Sequence, residues 1–287
     1  PAIIKRNFRT IDTWLQELRS AKSGAHASSA PRLGPCRARC YNPTRPGIPW
    51  FALPAEISGY LSRTGQTMPQ SQPTVEYFTD LLCVWAWIAQ PRLAEAKAHF
   101  GGRLVFEQRY LDVFGNAHQK ILSRWGEADG FDRFAAHVQE SAAAFEHTRL
   151  HPDLWTRVRP AGSWPAHLMI KALEIAEGTD RSDRYAEQLR IAFFTRARDI
   201  ADDSVLREEL EALDIPLAGV ERAIASGAAH AALAGDMQAA TAARISGSPT
   251  WSLNDGRQVL FGNVGYRVIQ ANLEEFLNND NPGASWC

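Results

Sequence analysis

The feature that most constrains the fold is a change of hydrophobic period around Cys83. Thr74-Val75-Glu76-Tyr77-Phe78 is rich in β-branched and aromatic residues, which suit a strand. Beyond it, Trp85, Ile88, Ala89, Leu93, Ala96 and Phe100 recur at three- and four-residue spacing, the pattern of one helix face. Cys83 therefore sits where a strand ends and a helix begins. The first turn of a helix has unbonded N–H groups and a partial positive charge. Both favour a thiolate, so a cysteine there can titrate below its free value of about 8.5 and act as a nucleophile. The position suits a buried cysteine packed at a strand end equally well, because free Cys is among the most buried residue types.

Gly101-Gly102 stops the helix, expected over 84–100, and Pro91 inside it is expected to kink it. Strand periodicity returns over 104–113. With a first strand expected over 75–82, strand, helix and strand make a right-handed βαβ unit with parallel strands. From His118 to Arg244 only helical patterns appear. They are expected over 131–145, over 163–178 with Ser163 as N-cap and Pro165 in the first turn, and over 182–200, 206–213, 217–226 and 228–244. A second β region follows, from Ile245 to Leu253 and from Gln258 to Phe261. Asp255-Gly256 between its two apolar runs is a hairpin signal. A last amphipathic helix is expected over 266–277.

Composition separates the ends from this pattern. Residues 1–67 hold ten Lys and Arg against three acids, a formal +7, while the remainder of the 287 residues stands at −8. The first 70 residues carry eight prolines among Ser, Gly and Arg, a composition that suits an extension with little stable structure. A transit peptide and a nucleic-acid arm are the alternatives for so basic a segment. Cys36 and Cys40 read as unrelated thiols, since a structural zinc site needs four ligands. No apolar run approaches the roughly 18–20 residues of a membrane span, and no secretory signal is seen. Four scattered cysteines make no disulfide framework, so a cytoplasmic location is expected. The acidic balance of the folded part argues against nucleic-acid binding there. The His147 and His151 pair lacks a third ligand, so no metal is expected. His167 is read as packing in the core or facing a cleft.

The order of these elements resembles the DsbA-like branch of the thioredoxin superfamily, including relatives of 2-hydroxychromene-2-carboxylate isomerase and the kappa glutathione transferases. Cys83-Val84-Trp85-Ala86 aligns with that family's Cys-x-x-Cys. Asp80 stands three residues before the cysteine, and Ser248-Pro249-Thr250 is similar to the family's cis-proline loop. The resemblance implies an α/β thioredoxin-like domain over 71–117 and 245–278. It implies an all-helical insertion over 118–244, an N-terminal extension over 1–70 and a tail over 279–287. It also implies Cys83 as catalytic nucleophile, with Asp80, Trp85, Ser248, Pro249 and Thr250 around the substrate. Ala86 replaces the second motif cysteine, so Cys83 cannot close its own disulfide there. It can still attack a disulfide, hold a mixed disulfide or bind glutathione. The function expected is a thiol–disulfide oxidoreductase or thiol-transfer protein acting on a thiol, a disulfide or glutathione, with no required cofactor. A glutathione-dependent isomerase or transferase and a redox-inactive binding module stay open, as does a homodimer. Cys287 is a candidate resolving thiol. Residues 1–67 are expected to add little stability, so their deletion should leave thermal unfolding unchanged within about 2 °C.

Overall fold

The computed structural model describes residues 72–278. The expectations about residues 1–70, Cys36, Cys40, the tail and Cys287 lie outside them. Strand β1 (Thr74–Thr79) pairs in parallel with β2 (Val105–Tyr110), with Val75 opposite Phe106 and Tyr77 opposite Gln108. Helix α1 (Val84–Phe100) makes the crossover. On its other side β1 pairs antiparallel with β3 (Thr250–Leu253), and β3 with β4 (Gln258–Phe261). The sheet order is β2-β1-β3-β4. Both Asn254 and Asp255 adopt φ 53° in the hairpin turn, ahead of Gly256. Short polar side chains tolerate that left-handed region, and the turn spans residues 254–257 between the paired Leu253 and Gln258, two more than the expected Asp-Gly pair.

Both early strands end sooner than their side-chain pattern implies. β1 stops at Thr79 rather than at 82, because Cys83 N–H turns back to Asp80 O at 3.1 Å. β2 stops at Tyr110 rather than at 113, where Gly115 N–H bonds Asp112 O at 3.0 Å and closes a turn. Hydrophobic alternation reports which residues are buried, not which backbone groups pair, so it runs on into these turns.

One face of the sheet buries Val75, Tyr77, Phe106, Trp251 and Leu253 under Leu93, Ala96 and Phe100 of α1. Ile269 and Leu273 of the closing helix α9 (Tyr266–Asn278) complete that layer. On the other face Phe78 and Leu111 meet Ala240 and Ile245. Pro91 lies inside α1 and removes one N–H. The carbonyl of Ile88 nearby accepts from Arg92 Nη1 at 3.3 Å and contacts His147 Nε2 at 3.1 Å. His147 thus props the helix where Pro91 interrupts its hydrogen bonding.

Between β2 and β3 come α2 (Ala117–Trp125), α3 (Gly130–Ala142), α4 (Trp164–Glu177), α5 (Thr179–Arg196), α6 (Asp203–Glu211), α7 (Leu217–Ala225) and α8 (Ala228–Ala242). Gly178, at φ 89°, separates α4 from α5, so α5 begins earlier than its apolar pattern suggests. The helices build the largest core, in which Trp155 packs against Phe114, Phe134 and Phe193. Among the described residues, none of these helices is long and apolar enough to cross a membrane.

Charge ties this insertion to the sheet edge. Asp236 of α8 is fully buried and accepts from Tyr110 N–H of edge strand β2 at 3.1 Å. It also meets Arg109 Nη1 at 3.3 Å and Lys171 Nζ of α4 at 3.5 Å. Removing one partner of a buried charge network leaves the others unpaired, which costs roughly 3–5 kcal/mol. Asp236→Ala should therefore lose about 3 kcal/mol in urea unfolding. Asp236→Asn, which keeps an acceptor for Tyr110, should lose less.

Candidate functional site

The segment from Asp80 to Cys83 leaves β1 and enters α1, and every amide in it has a partner. Asp80 N–H donates to Ser248 Oγ at 2.9 Å. Leu81 N–H donates to His167 Nε2 at 3.2 Å, and Leu82 N–H to Asp80 Oδ1 at 2.9 Å. Cys83 is the N-cap residue of α1, with φ −79° and ψ 114°. Its sulfur donates to Ser248 O at 3.2 Å, across 165 residues of chain.

Beneath this loop the Asp80 carboxylate takes two more hydrogen bonds at Oδ2, from Phe114 N–H at 2.8 Å and from the Ser163 hydroxyl at 2.9 Å. Ser163 was expected to cap α4, but its hydroxyl makes no cap bond and points to Asp80 instead. The two loops that supply these donors approach closely. A Cβ on Gly162 would stand 2.3 Å from the carbonyl oxygen of Gly115, so only glycine fits. Ser163 N–H also donates to Phe114 O at 3.0 Å.

Electrostatics follow from burial. Asp80 reaches no solvent, and burial pushes its carboxyl up to about 6, against its three hydrogen bonds and the charge of Lys120. His167 is also fully buried; burial first, and the charge of Arg190 second, push its imidazole down to about 3. It is therefore neutral, and accepting Leu81 N–H at Nε2 places its proton on Nδ1. Arg190 reaches the same region from α5, bonding Thr79 Oγ1 at 2.7 Å. Cys83 is 6% exposed. Burial raises its thiol, and hydrogen bonds to Ala86 N–H and Ser248 oppose the rise without reversing it. The helix start alone implies a lowered value. Burial overrides it, since desolvation can move a pKa by as much as roughly 3–5 units whereas the helix dipole contributes about 0.3–1 kcal/mol.

The Ser248–Pro249 peptide is cis. Its loop is held by Gly262 N–H on Pro249 O at 2.8 Å and by Thr250 Oγ1 on Gly247 O at 2.7 Å. A Cβ on Gly247 would stand 2.1 Å from the Phe261 ring, which is 66% exposed beside the loop. Trp85, 36% exposed, lies edge-on to Phe145 with ring centroids 6.5 Å apart. Trp164, next to Ser163, is 38% exposed.

The fold thus brings together Cys83, Asp80, Ser248, Pro249 and Thr250. All but Ser248 are buried, and two of them have their polar groups committed to the loops. Asp80 is enclosed and saturated, so it braces the loop rather than touching a substrate. Thr250 is buried with its hydroxyl turned to Gly247. Trp85 and Ser248 remain on the rim. Phe114 and Lys120 were not singled out from the sequence, and Ser163 only as a helix cap, because nothing in their spacing marks them for the site; they reach it only through tertiary folding. Among the described residues no group of three or more His, Cys, Asp and Glu could hold a metal ion.

The sequence model of the DSBA-like thioredoxin domain matches residues 74–274. A search of curated proteins finds no match. Solved structures share the fold at low identity. A putative protein disulfide isomerase from Nitrosomonas europaea is 16% identical with TM-score 0.57, covering 73% of this chain and 100% of its own. The cytosolic disulfide reductase DsbM from Pseudomonas aeruginosa, solved with GSH, is 20% identical with TM-score 0.54, covering 70% and 99%. A 2-hydroxychromene-2-carboxylate isomerase is 18% identical with TM-score 0.50, covering 70% and 95%.

The two buried titrating groups make opposite contributions to stability. His167 binds its proton less readily folded than unfolded, so its contribution is present above about 6.5 and is lost as pH falls toward about 3. Asp80 binds its proton more readily folded, so its contribution is present below 3.8 and is lost as pH rises through about 6. In urea unfolding between pH 4.5 and 7, the stability advantage of wild type over His167→Gln should grow by about 2 kcal/mol with rising pH. The advantage over Asp80→Asn should shrink by about as much.

Proposed function

Because the chain belongs to the DsbA-like thioredoxin-domain family, we propose that it is a single-cysteine thiol–disulfide oxidoreductase or thiol-transfer protein with Cys83 as nucleophile. The observation that carries this reading is the Cys83 sulfur at the N-cap of α1, facing Ser248 O of the cis-proline loop at 3.2 Å. A sulfur so placed lies at a helix terminus that favours negative charge. It also lies beside a loop carbonyl along which an extended thiol substrate can lie.

The chemistry balances without a second motif cysteine. Cys83 loses its proton to solvent, and the thiolate attacks one sulfur of a substrate disulfide. A Cys83 mixed disulfide forms, and the other half leaves as a thiolate that takes up a proton. Ala86 is fully buried where the second cysteine would stand, so no internal thiol at that position resolves the product. A second, external thiolate attacks the mixed disulfide, leaves joined to the transferred group and restores Cys83. The net result is exchange of one thiol partner for another. The substrate must displace the Cys83–Ser248 hydrogen bond, and deprotonation runs against burial of the sulfur.

Glutathione disulfide tests this reading. One glutathione should add to Cys83 and persist in wild type, as shown by intact mass and peptide mapping, and Cys83→Ser should show none at that site. In Ala86→Cys the adduct should be lost as the new cysteine attacks it and closes a disulfide. The rate of modification should rise with pH to a midpoint above the free-cysteine value of about 8.5. Lack of any wild-type adduct would sink the proposal.

The missing second cysteine favours one further reading, a glutathione-dependent isomerase or transferase. It requires non-covalent binding of reduced glutathione, which calorimetry on Cys83→Ser measures separately from adduct formation.

A further inference from the structure

Lys120 stands beside this site without a role in the exchange chemistry. It projects from α2 and is half-buried. Its ammonium donates to Val113 O at 2.6 Å and lies over the Phe114 ring, 4.7 Å from the centroid. These two contacts tether a long, flexible side chain in one place. Phe114 is the residue whose N–H holds Asp80 Oδ2 at 2.8 Å. The ammonium is therefore one residue removed from the carboxylate that braces the Cys83 loop.

The charged surroundings of Lys120 are Asp80 and Cys83 from the reactive loop, Asp112 from the loop after β2 and Arg124 from its own helix. Half-burial lowers its pKa, and the attraction of Asp80 and of the Cys83 sulfur opposes the loss of its proton. His167 contributes no charge here, being neutral and turned to Leu81. An ionised Asp80 opposes further negative charge at Cys83. Lys120 is the fixed cation that offsets it.

We propose that Lys120 selects the substrates of Cys83: its tethered ammonium favours anionic thiols and disulfides, those carrying a carboxylate close to the sulfur, over neutral ones. This rests on Cys83 being the reacting group. A cation held at partial burial acts through a lower effective dielectric than one on the open surface, so its attraction for an incoming anion survives moderate salt. Lys120 makes none of the three hydrogen bonds to the Asp80 carboxylate, which come from Leu82, Phe114 and Ser163, but its charge favours the ionised form of Asp80; comparing an anionic with a neutral reagent at the same sulfur cancels that shared effect.

Two alkylating reagents of nearly equal size separate charge from access. Iodoacetate is an anion and iodoacetamide is neutral, and labelling of Cys83 is followed by peptide mapping in the full chain. In Lys120→Met the ratio of the iodoacetate rate to the iodoacetamide rate should fall roughly three- to fivefold at low salt. Lys120→Arg should keep the wild-type ratio, and 1 M salt should bring wild type close to Lys120→Met. A merely structural role would lower both rates together and leave the ratio unchanged; that result, or no change at all, overturns the proposal. If wild-type Cys83 reacts with neither reagent, the thiol-exchange reading fails and the selectivity claim falls with it. If it reacts with both and the ratio ignores Lys120, only the selectivity claim falls.

Discussion

The carboxylate of Asp80 is the interaction on which the rest of the site depends. It is fully enclosed, a location that is costly for a carboxylate unless donors replace water. Three donors do so, and they come from separate parts of the chain. Leu82 lies 2 residues away, Phe114 34 residues away and Ser163 83 residues away. The reactive turn, the loop after β2 and the start of α4 therefore meet at one pair of oxygens. The backbone of the same residue donates to Ser248 of the cis-proline loop, so four segments are registered around it.

That dependence sets the state of the thiol. The insertion that supplies Ser163 and His167 also packs in the core that encloses Cys83, and that burial raises the thiol more than the helix start lowers it. Burial favours the protonated thiol, which donates to Ser248 O. Ala86, three residues after Cys83, is likewise fully buried. On the proposed thiol-exchange reading, reactivity rests on what a substrate brings to this sulfur.

The insertion is fastened by buried charge as well as by apolar packing. Asp236 joins α8 and α4 to the edge of β2, and its bond to Tyr110 N–H caps one of the outward amides that an edge strand otherwise exposes. Arg190 joins α5 to the end of β1, one residue before Asp80. Its charge helps to keep His167 neutral, and a neutral His167 is what lets Nε2 accept from Leu81. Fold and site share these residues, so a change in the fastening reaches the reactive turn within one or two bonds.

Local sequence was enough for the order of the elements, for Cys83 at a strand-to-helix junction and for Ser248-Pro249 between a helix and a hairpin. Those features follow from periodicity, from Gly and Pro punctuation and from short-range turn chemistry, all of which act within a few residues. The ends of β1 and β2, the thiol's environment and the roles of Asp80, Ser163 and Lys120 were decided by tertiary structure. Ser163 shows why. By sequence it is a good N-cap, yet its hydroxyl goes to a buried carboxylate that needs a donor more than a helix end in reach of water does. Cys83 shows it again: its position along the chain predicts a lowered pKa, and its depth, which depends on helices more than 80 residues away, reverses the sign. Burial is a property of the assembled chain, and a desolvated charge answers to every element packed around it.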